Sequence, residues 1–129
     1  LSHKHFLTYL QQQLEQNLYG GRAVADLQMD STAGAQSIDL AWLSDGQLQL
    51  LQGFESVPFA PCICIEFFSS TAPDATTVQK KALLFNHHAE EVWLCDAQGQ
   101  LTFFNQNGQL NQSRIAPRFQ QNIHWQNDE

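Results

Sequence analysis

Two acids stand alone inside otherwise apolar runs. Asp39 lies within Ser37–Leu43, SIDLAWL, and Glu66 within Cys62–Phe68, CICIEFF. A carboxylate so placed must be paired, hydrogen-bonded or bound to metal, because uncompensated buried charge is expensive. If the two segments are neighbouring strands, the carboxylates can converge on a hard cation such as Mg²⁺ or Mn²⁺. Such an ion takes one or two carboxylates and completes its shell with water. Held that way, it activates water and stabilises the leaving oxygen in phosphodiester hydrolysis. A nearby ammonium would hold the scissile phosphate or the attacking hydroxide, and Lys80 and Lys81 lie in a helical stretch downstream. Helical spacing puts Val78, Phe85 and Ala89 along one face with Lys81 between them, and Lys80 about 100° away towards Leu84. The helix alone therefore favours Lys81. A plainer account competes: Asp39 faces solvent, and Glu66 pairs with a core Lys or Arg.

The elements that must position these groups follow from pattern. Cys62–Phe68 predicts a strand buried on both faces. Ser69–Pro73 is a turn, Asp74 supplies helix-start chemistry for the helix of Lys80 and Lys81, and AEEVWLCD from Ala89 to Asp96 predicts a second buried strand. Strand, helix, strand is a crossover, so the two strands are expected to be parallel neighbours. Upstream, Phe6, Leu7, Leu10, Leu14 and Leu18 form a helical stripe, with Ser2 as N-cap and Gly20-Gly21 as stop. Val24–Met29 is expected to be a strand and Ser31–Gly34 a loop. Asp45-Gly46 predicts a hairpin returning the chain as a strand, Gln47–Leu51. Asn107-Gly108 predicts another, between Leu101–Asn105 and Gln109–Arg114. Trp42 and Trp93 are expected in the core, and Phe119, Ile123 and Trp125 on a sheet edge. The expectation is one α/β domain over residues 1–129 built on a mixed sheet.

Composition narrows the function classes. The chain has 129 residues, 43% hydrophobic and 15% charged, which suits one packed core and excludes disorder as the main state. Six Lys and Arg against 13 Asp and Glu leave a net charge of -7. That argues against a broad nucleic-acid surface and confines any DNA contact to a small basic area around Lys80, Lys81, Arg114 and Arg118. Cys62, Cys64 and Cys95 all fall in expected strands, which suits reduced thiols and a cytoplasmic location. Alternation would put Cys62 and Cys64 on one sheet face, and no ligand set for zinc accompanies them. His87-His88 suit the C-terminal end of the helix dipole. His3, His5 and His124 have no ligand-spaced partner. No G-x-S-x-G elbow occurs, and no segment is long and apolar enough to span a membrane.

The order Ile38-Asp39, then IEFFSST from Ile65, KKALLF from Lys80 and EVWLCD from Glu91 resembles the Uma-type family of endonucleases. These belong to the restriction-endonuclease-like PD-(D/E)XK superfamily and show PD, VEV-x-SPS, K-x-x-x-Y and EYWLVD. Ser2-His3 and APRF from Ala116 to Phe119 are also similar to that family. The resemblance implies a restriction-endonuclease-like α/β fold: a mixed sheet, an N-terminal helix and a crossover helix, closed by C-terminal hairpin strands. It implies Mg²⁺- or Mn²⁺-dependent cleavage of DNA, with Asp39 and Glu66 as metal carboxylates and Lys80 or Lys81 as the site lysine. An ungapped count back from Trp93 selects Lys80; one deletion selects Lys81. The chain departs from the family in having Ile-Asp for PD, Ser69-Ser70-Thr71 for SPS, and Phe68 where the E-x-K pattern holds its lysine. Members usually carry another acid on a segment ahead of the first helix, whereas this sequence starts at Leu1. Weak DNA binding and a homodimer are the expected associations. Two other expectations stand beside the nuclease: a catalytically degenerate module of the same fold that binds protein, and a metal-dependent hydrolase of small phosphoesters.

Overall fold

The computed structural model describes residues 3–123, so the expectations for Ser2, His124 and Trp125 lie outside the described residues. The elements run α1 (His3–Asn17), β1 (Gly21–Ser31), β2 (Gly34–Ser44), α2 (Asp45–Leu50), β3 (Ile63–Phe67), α3 (Ala75–Asn86), β4 (Glu91–Cys95), β5 (Leu101–Asn105) and β6 (Gly108–Leu110). The six strands lie side by side in chain order. β3 and β4 are parallel, joined by α3 as a crossover, and the other neighbouring pairs are antiparallel.

Strand alternation divides the core into two layers. On one face Ile63, Ile65, Trp93 and Phe103 pack under Leu10 and Leu14 of α1, with Phe119 and Ile123 of the tail closing the edge. On the other face Ile38, Cys64, Val92 and Leu94 pack under Leu84 and Ala89. Trp42 and Trp93 are buried as expected. Glu66, two residues after Cys64, shares the α3 side of the sheet. Among the described residues no helix is long and apolar enough to cross a membrane.

Several elements differ from expectation. Asp45-Gly46 does not turn a hairpin, and Gln47–Leu51 is not a strand; the chain enters α2 instead. The reason is a capping box. Gln47 N donates to Ser44 Oγ at 3.1 Å, and Ser44 N donates to Gln47 Oε1 at 3.2 Å. Gln47 is also the hub of the following loop, accepting from Cys62 N at 3.1 Å and donating to Ala60 O at 3.2 Å. The Ser31–Gly34 loop shrinks to a tight hairpin turn, because Ser31 pairs directly with Gly34 and β1 and β2 run longer than their apolar cores. The Asn-Gly hairpin forms, but its two turn residues are Gln106 and Asn107, with Gly108 at φ 136° opening β6. β6 stops at Leu110, well short of Arg114, because the chain beyond is drawn to a buried acid described below. Cys62 and Cys64 do not share a face: Cys62 precedes β3 and packs on the α1 side, Cys64 on the α3 side. Burial pushes the Cys62 and Cys95 thiols up to about 12, so both are inert thiols.

Candidate active site

β2 and β3 bring the two acids together. The ladder pairs Trp42 with Ile63, Ala41 with Cys64 and Leu40 with Ile65. One step further would set Asp39 against Glu66, and there side chains take over from backbone. Asp39 N donates to Glu66 Oε2 at 3.1 Å, and Phe67 N donates to Asp39 Oδ2 at 2.9 Å. Each carboxylate thus caps an amide that the separating strands would otherwise leave open.

Lys80 completes the group. Its Nζ lies 2.7 Å from Glu66 Oε1 and also donates to Ser37 O on β2. The helix wheel that favoured Lys81 is corrected by packing. Leu84 is the fully buried residue of α3, and Lys80 sits one turn before it on the same face. Val78 is 49% exposed, so the stripe through Val78 faces outward at that end of the helix. Lys81 turns to β5, its ammonium 3.8 Å from the centre of the Phe104 ring.

Electrostatics at Glu66 are set by burial. The residue is only 6% exposed. Loss of water and then the neighbouring Asp39 charge raise its pKa, and the hydrogen bond and charge of Lys80 oppose them without cancelling, leaving it at about 7. Asp39 is half-buried, and its Oδ1 has no protein partner among the described residues.

Two side chains escape a sequence search, one beside the site and one at the start of β4. Asp26 on β1 falls opposite Asp39, where the β1–β2 ladder skips a residue and the backbone takes φ 55°. It is exposed and accepts from Ser37 Oγ at 2.8 Å, steadying the residue whose carbonyl holds Lys80. Glu91, 2% exposed, opens β4. It accepts from Trp93 Nε1 at 2.8 Å, Ser113 Oγ at 2.6 Å, Arg114 N at 2.8 Å and Ile115 N at 3.2 Å. Its carboxylate is saturated and anchors the segment after β6. An acid against an apolar run is the same signal that marks Asp39 and Glu66, but at a strand's first position exposure is the ordinary expectation.

Among the described residues no histidine joins the site. His87 is the C-cap of α3; its Nδ1 lies 2.9 Å from Leu83 O, and its Nε2 accepts from Thr32 N at 3.3 Å. No cluster of three or more His, Cys, Asp or Glu able to hold a metal occurs among the described residues. The donor set at Asp39 and Glu66 is two carboxylates, which fits a hard, largely hydrated cation and not zinc.

A mixed six-stranded sheet with an N-terminal helix, a crossover helix between its parallel pair and closing hairpin strands is a restriction-endonuclease-like α/β fold. No protein-family model and no curated protein matches the sequence. Solved structures with this fold include a DUF820 protein from Anabaena variabilis ATCC 29413 proposed to be a nuclease. It is 13% identical, with a TM-score of 0.68 over 84% of this chain and 65% of that one. The DrdV–DNA complex is also 13% identical, with a TM-score of 0.52 over 84% of this chain and 9% of that one. The chain therefore spans 65% of the first neighbour's length and a small part of the second's.

Proposed function

We propose that the chain is a metal-dependent endonuclease that hydrolyses DNA phosphodiester bonds at Asp39, Glu66 and Lys80. The observation that carries this reading is the meeting of two lone acids on adjacent strands with Lys80 at 2.7 Å from one of them. Asp39 and Glu66 would hold Mg²⁺ or Mn²⁺, Asp39 through the open Oδ1 and Glu66 through Oε1. Bound there, such an ion would supply an activated water and a counter-charge for the leaving oxygen. Lys80, released from Glu66 Oε1, donates to a non-bridging phosphate oxygen and stabilises the charge that develops there. Lys81, stacked on Phe104, has no part in the step. The structural neighbours, a DUF820 protein proposed to be a nuclease and a DNA complex, support the same class of substrate.

One observation favours a second reading, a structural or protein-binding module that keeps the fold. Both oxygens of Glu66 are already satisfied by the protein, by Lys80 and Asp39 N, as in a purely structural ion pair. Plasmid nicking with Mg²⁺ and Mn²⁺, compared between the wild-type chain, Asp39→Ala and Lys80→Ala, separates the two. Metal-dependent nicking that is lost in Asp39→Ala supports the nuclease. No nicking by folded protein in either metal, with no heat of Mn²⁺ binding, leaves the module.

A further inference from the structure

An open cleft of about 460 Å³ lies between the C-terminal end of α3 and the β5–β6 turn, and none of its lining belongs to the Asp39–Glu66 site. Phe85 and His88 form one wall, Asn105, Gln106 and Asn107 the other, and Arg114 enters from the segment after β6. The cleft is built from within. Glu91 holds Arg114 and Ile115 by their backbone amides, which fixes the arginine's backbone at the cleft while its side chain stays exposed. The guanidinium has no ion-pair partner among the described residues. Asn105 Oδ1 accepts from Asn107 N at 2.9 Å, so the Asn105 amide NH₂ remains a donor for a ligand.

Charge identifies the ligand class. Arg114 stands beside Asn105 in this cleft, and in a protein of net charge -7 an arginine without an ion-pair partner among the described residues selects an anion. Glu90 also lines the cleft, its Oε2 accepting from Cys62 Sγ at 3.2 Å. That negative charge weighs against a dianion and favours a phosphate carrying one charge.

We propose that this cleft binds a phosphodiester, with Arg114 as the charged donor and the Asn105 amide as a neutral one, beside the His88 ring. The proposal rests on the nuclease reading, because the diester would belong to the strand that passes Asp39 and Glu66. Lys80 and the end of α3 are roughly 9 Å apart at about 1.5 Å per residue. A strand rising about 3.4 Å per nucleotide covers that in roughly three nucleotides.

The test is a ¹⁵N–¹H titration of the metal-free chain at low salt with dimethyl phosphate, inorganic phosphate and a short single-stranded oligodeoxynucleotide. The expected result is amide shifts at His88, Asn105, Asn107 and Arg114, with dimethyl phosphate saturating before inorganic phosphate and the oligonucleotide binding more tightly than either. Arg114→Ala weakens oligonucleotide binding about tenfold, as loss of one charge-assisted hydrogen bond does. Glu90→Gln strengthens it severalfold. The Glu91 contact uses the Arg114 backbone, so the fold survives, and an unmoved Trp93 indole resonance verifies this. Absence of cleft shifts, or shifts indifferent to Arg114→Ala, overturns the proposal. A response to inorganic phosphate alone also overturns it, since the ligand is then a free anion. Oligonucleotide shifts confined to residues around Glu66 overturn the cleft and leave the nuclease standing. Cleft binding without Mn²⁺ binding at Asp39 and Glu66 supports the cleft and overturns the nuclease.

Discussion

Asp39 and Glu66 exchange contacts across β2 and β3: Glu66 Oε2 takes the Asp39 amide at 3.1 Å, and Asp39 Oδ2 takes the Phe67 amide at 2.9 Å. In the proposed nuclease the pair would therefore serve the fold and the chemistry together. It closes the end of a backbone ladder, and it concentrates two negative charges offset by the Lys80 ammonium. The raised pKa of Glu66 is the electrostatic trace of that arrangement.

The first prediction concerns pH. Glu66 titrates at about 7 in the folded chain against an ordinary value of 4.5. Between those values the folded state keeps a proton that the unfolded state has lost. Stability from this group is thus fully present below pH 4.5, falls through the window, and is lost above 7. At about 1.4 kcal/mol per pH unit the change is on the order of 3 kcal/mol. Glu66→Gln keeps one acceptor oxygen, sets its NH₂ against Lys80 or Asp39 N where Glu66 has its second oxygen, and removes the titration, so its stability should stay level across the window in which that of the wild-type chain falls. Mn²⁺ affinity should fall at least about tenfold, as removal of a first ligand charge implies. Urea midpoints of both proteins from pH 4 to pH 8 check this; parallel curves would refute it.

The second prediction separates the lysines. Lys80→Ala strips Glu66 of its counter-charge and should destabilise the chain by about 2 kcal/mol at pH 8 and by much less at pH 5, where Glu66 is protonated. Lys81→Ala loses a contact with Phe104 worth about 0.5–1 kcal/mol, at either pH. In the nicking assay Lys80→Ala should be inactive and Lys81→Ala should cleave. Equal effects of the two substitutions would remove Lys80 from its assigned place.

How legible this was in the sequence depends on which force decided each element. The buried strands β3 and β4 and their crossover were legible because apolar runs and helix-start residues are local signals. Asp39 and Glu66 were legible because an acid in an apolar run demands a partner. Lys80 over Lys81 was not, since the choice depends on which helix face Leu84 turns to the sheet, a tertiary fact. Nor was α2. Asp45-Gly46 is strong hairpin chemistry in isolation, and it loses to a capping box completed by Gln47, which also binds Ala60 and Cys62. Glu91 stayed hidden because three of its four donors come from residues 113–115.

A third prediction follows from that hub. Ser44→Ala removes a cap and should cost about 1 kcal/mol. Gln47→Ala should cost about 2 kcal/mol, because it also frees the Cys62 amide at the entrance to β3. Thermal melts of the two variants give the order; a strand at this position would predict no such ranking.

The fourth prediction concerns Glu91 and distinguishes a structural carboxylate from a chemical one. All four of its donors come from the protein, and its side chain joins β4 to the segment that carries Arg114. Glu91→Ala leaves a buried indole N–H, a serine hydroxyl and two backbone amides without their acceptor, so a loss of about 3–5 kcal/mol is expected. Glu91→Gln should recover only part of it, because its NH₂ must confront donors where an acceptor stood. Ser113→Ala, which removes one hydroxyl, should cost about 1–2 kcal/mol. Hydrogen exchange adds a local readout: the amides of Arg114, Ile115 and Ala116 should lose protection first. Mn²⁺ should bind Ser113→Ala as it binds the wild-type chain, since Glu91 is no ligand. If Glu91→Gln instead left stability intact and abolished Mn²⁺ binding, this carboxylate would have to be moved from the scaffold to the metal.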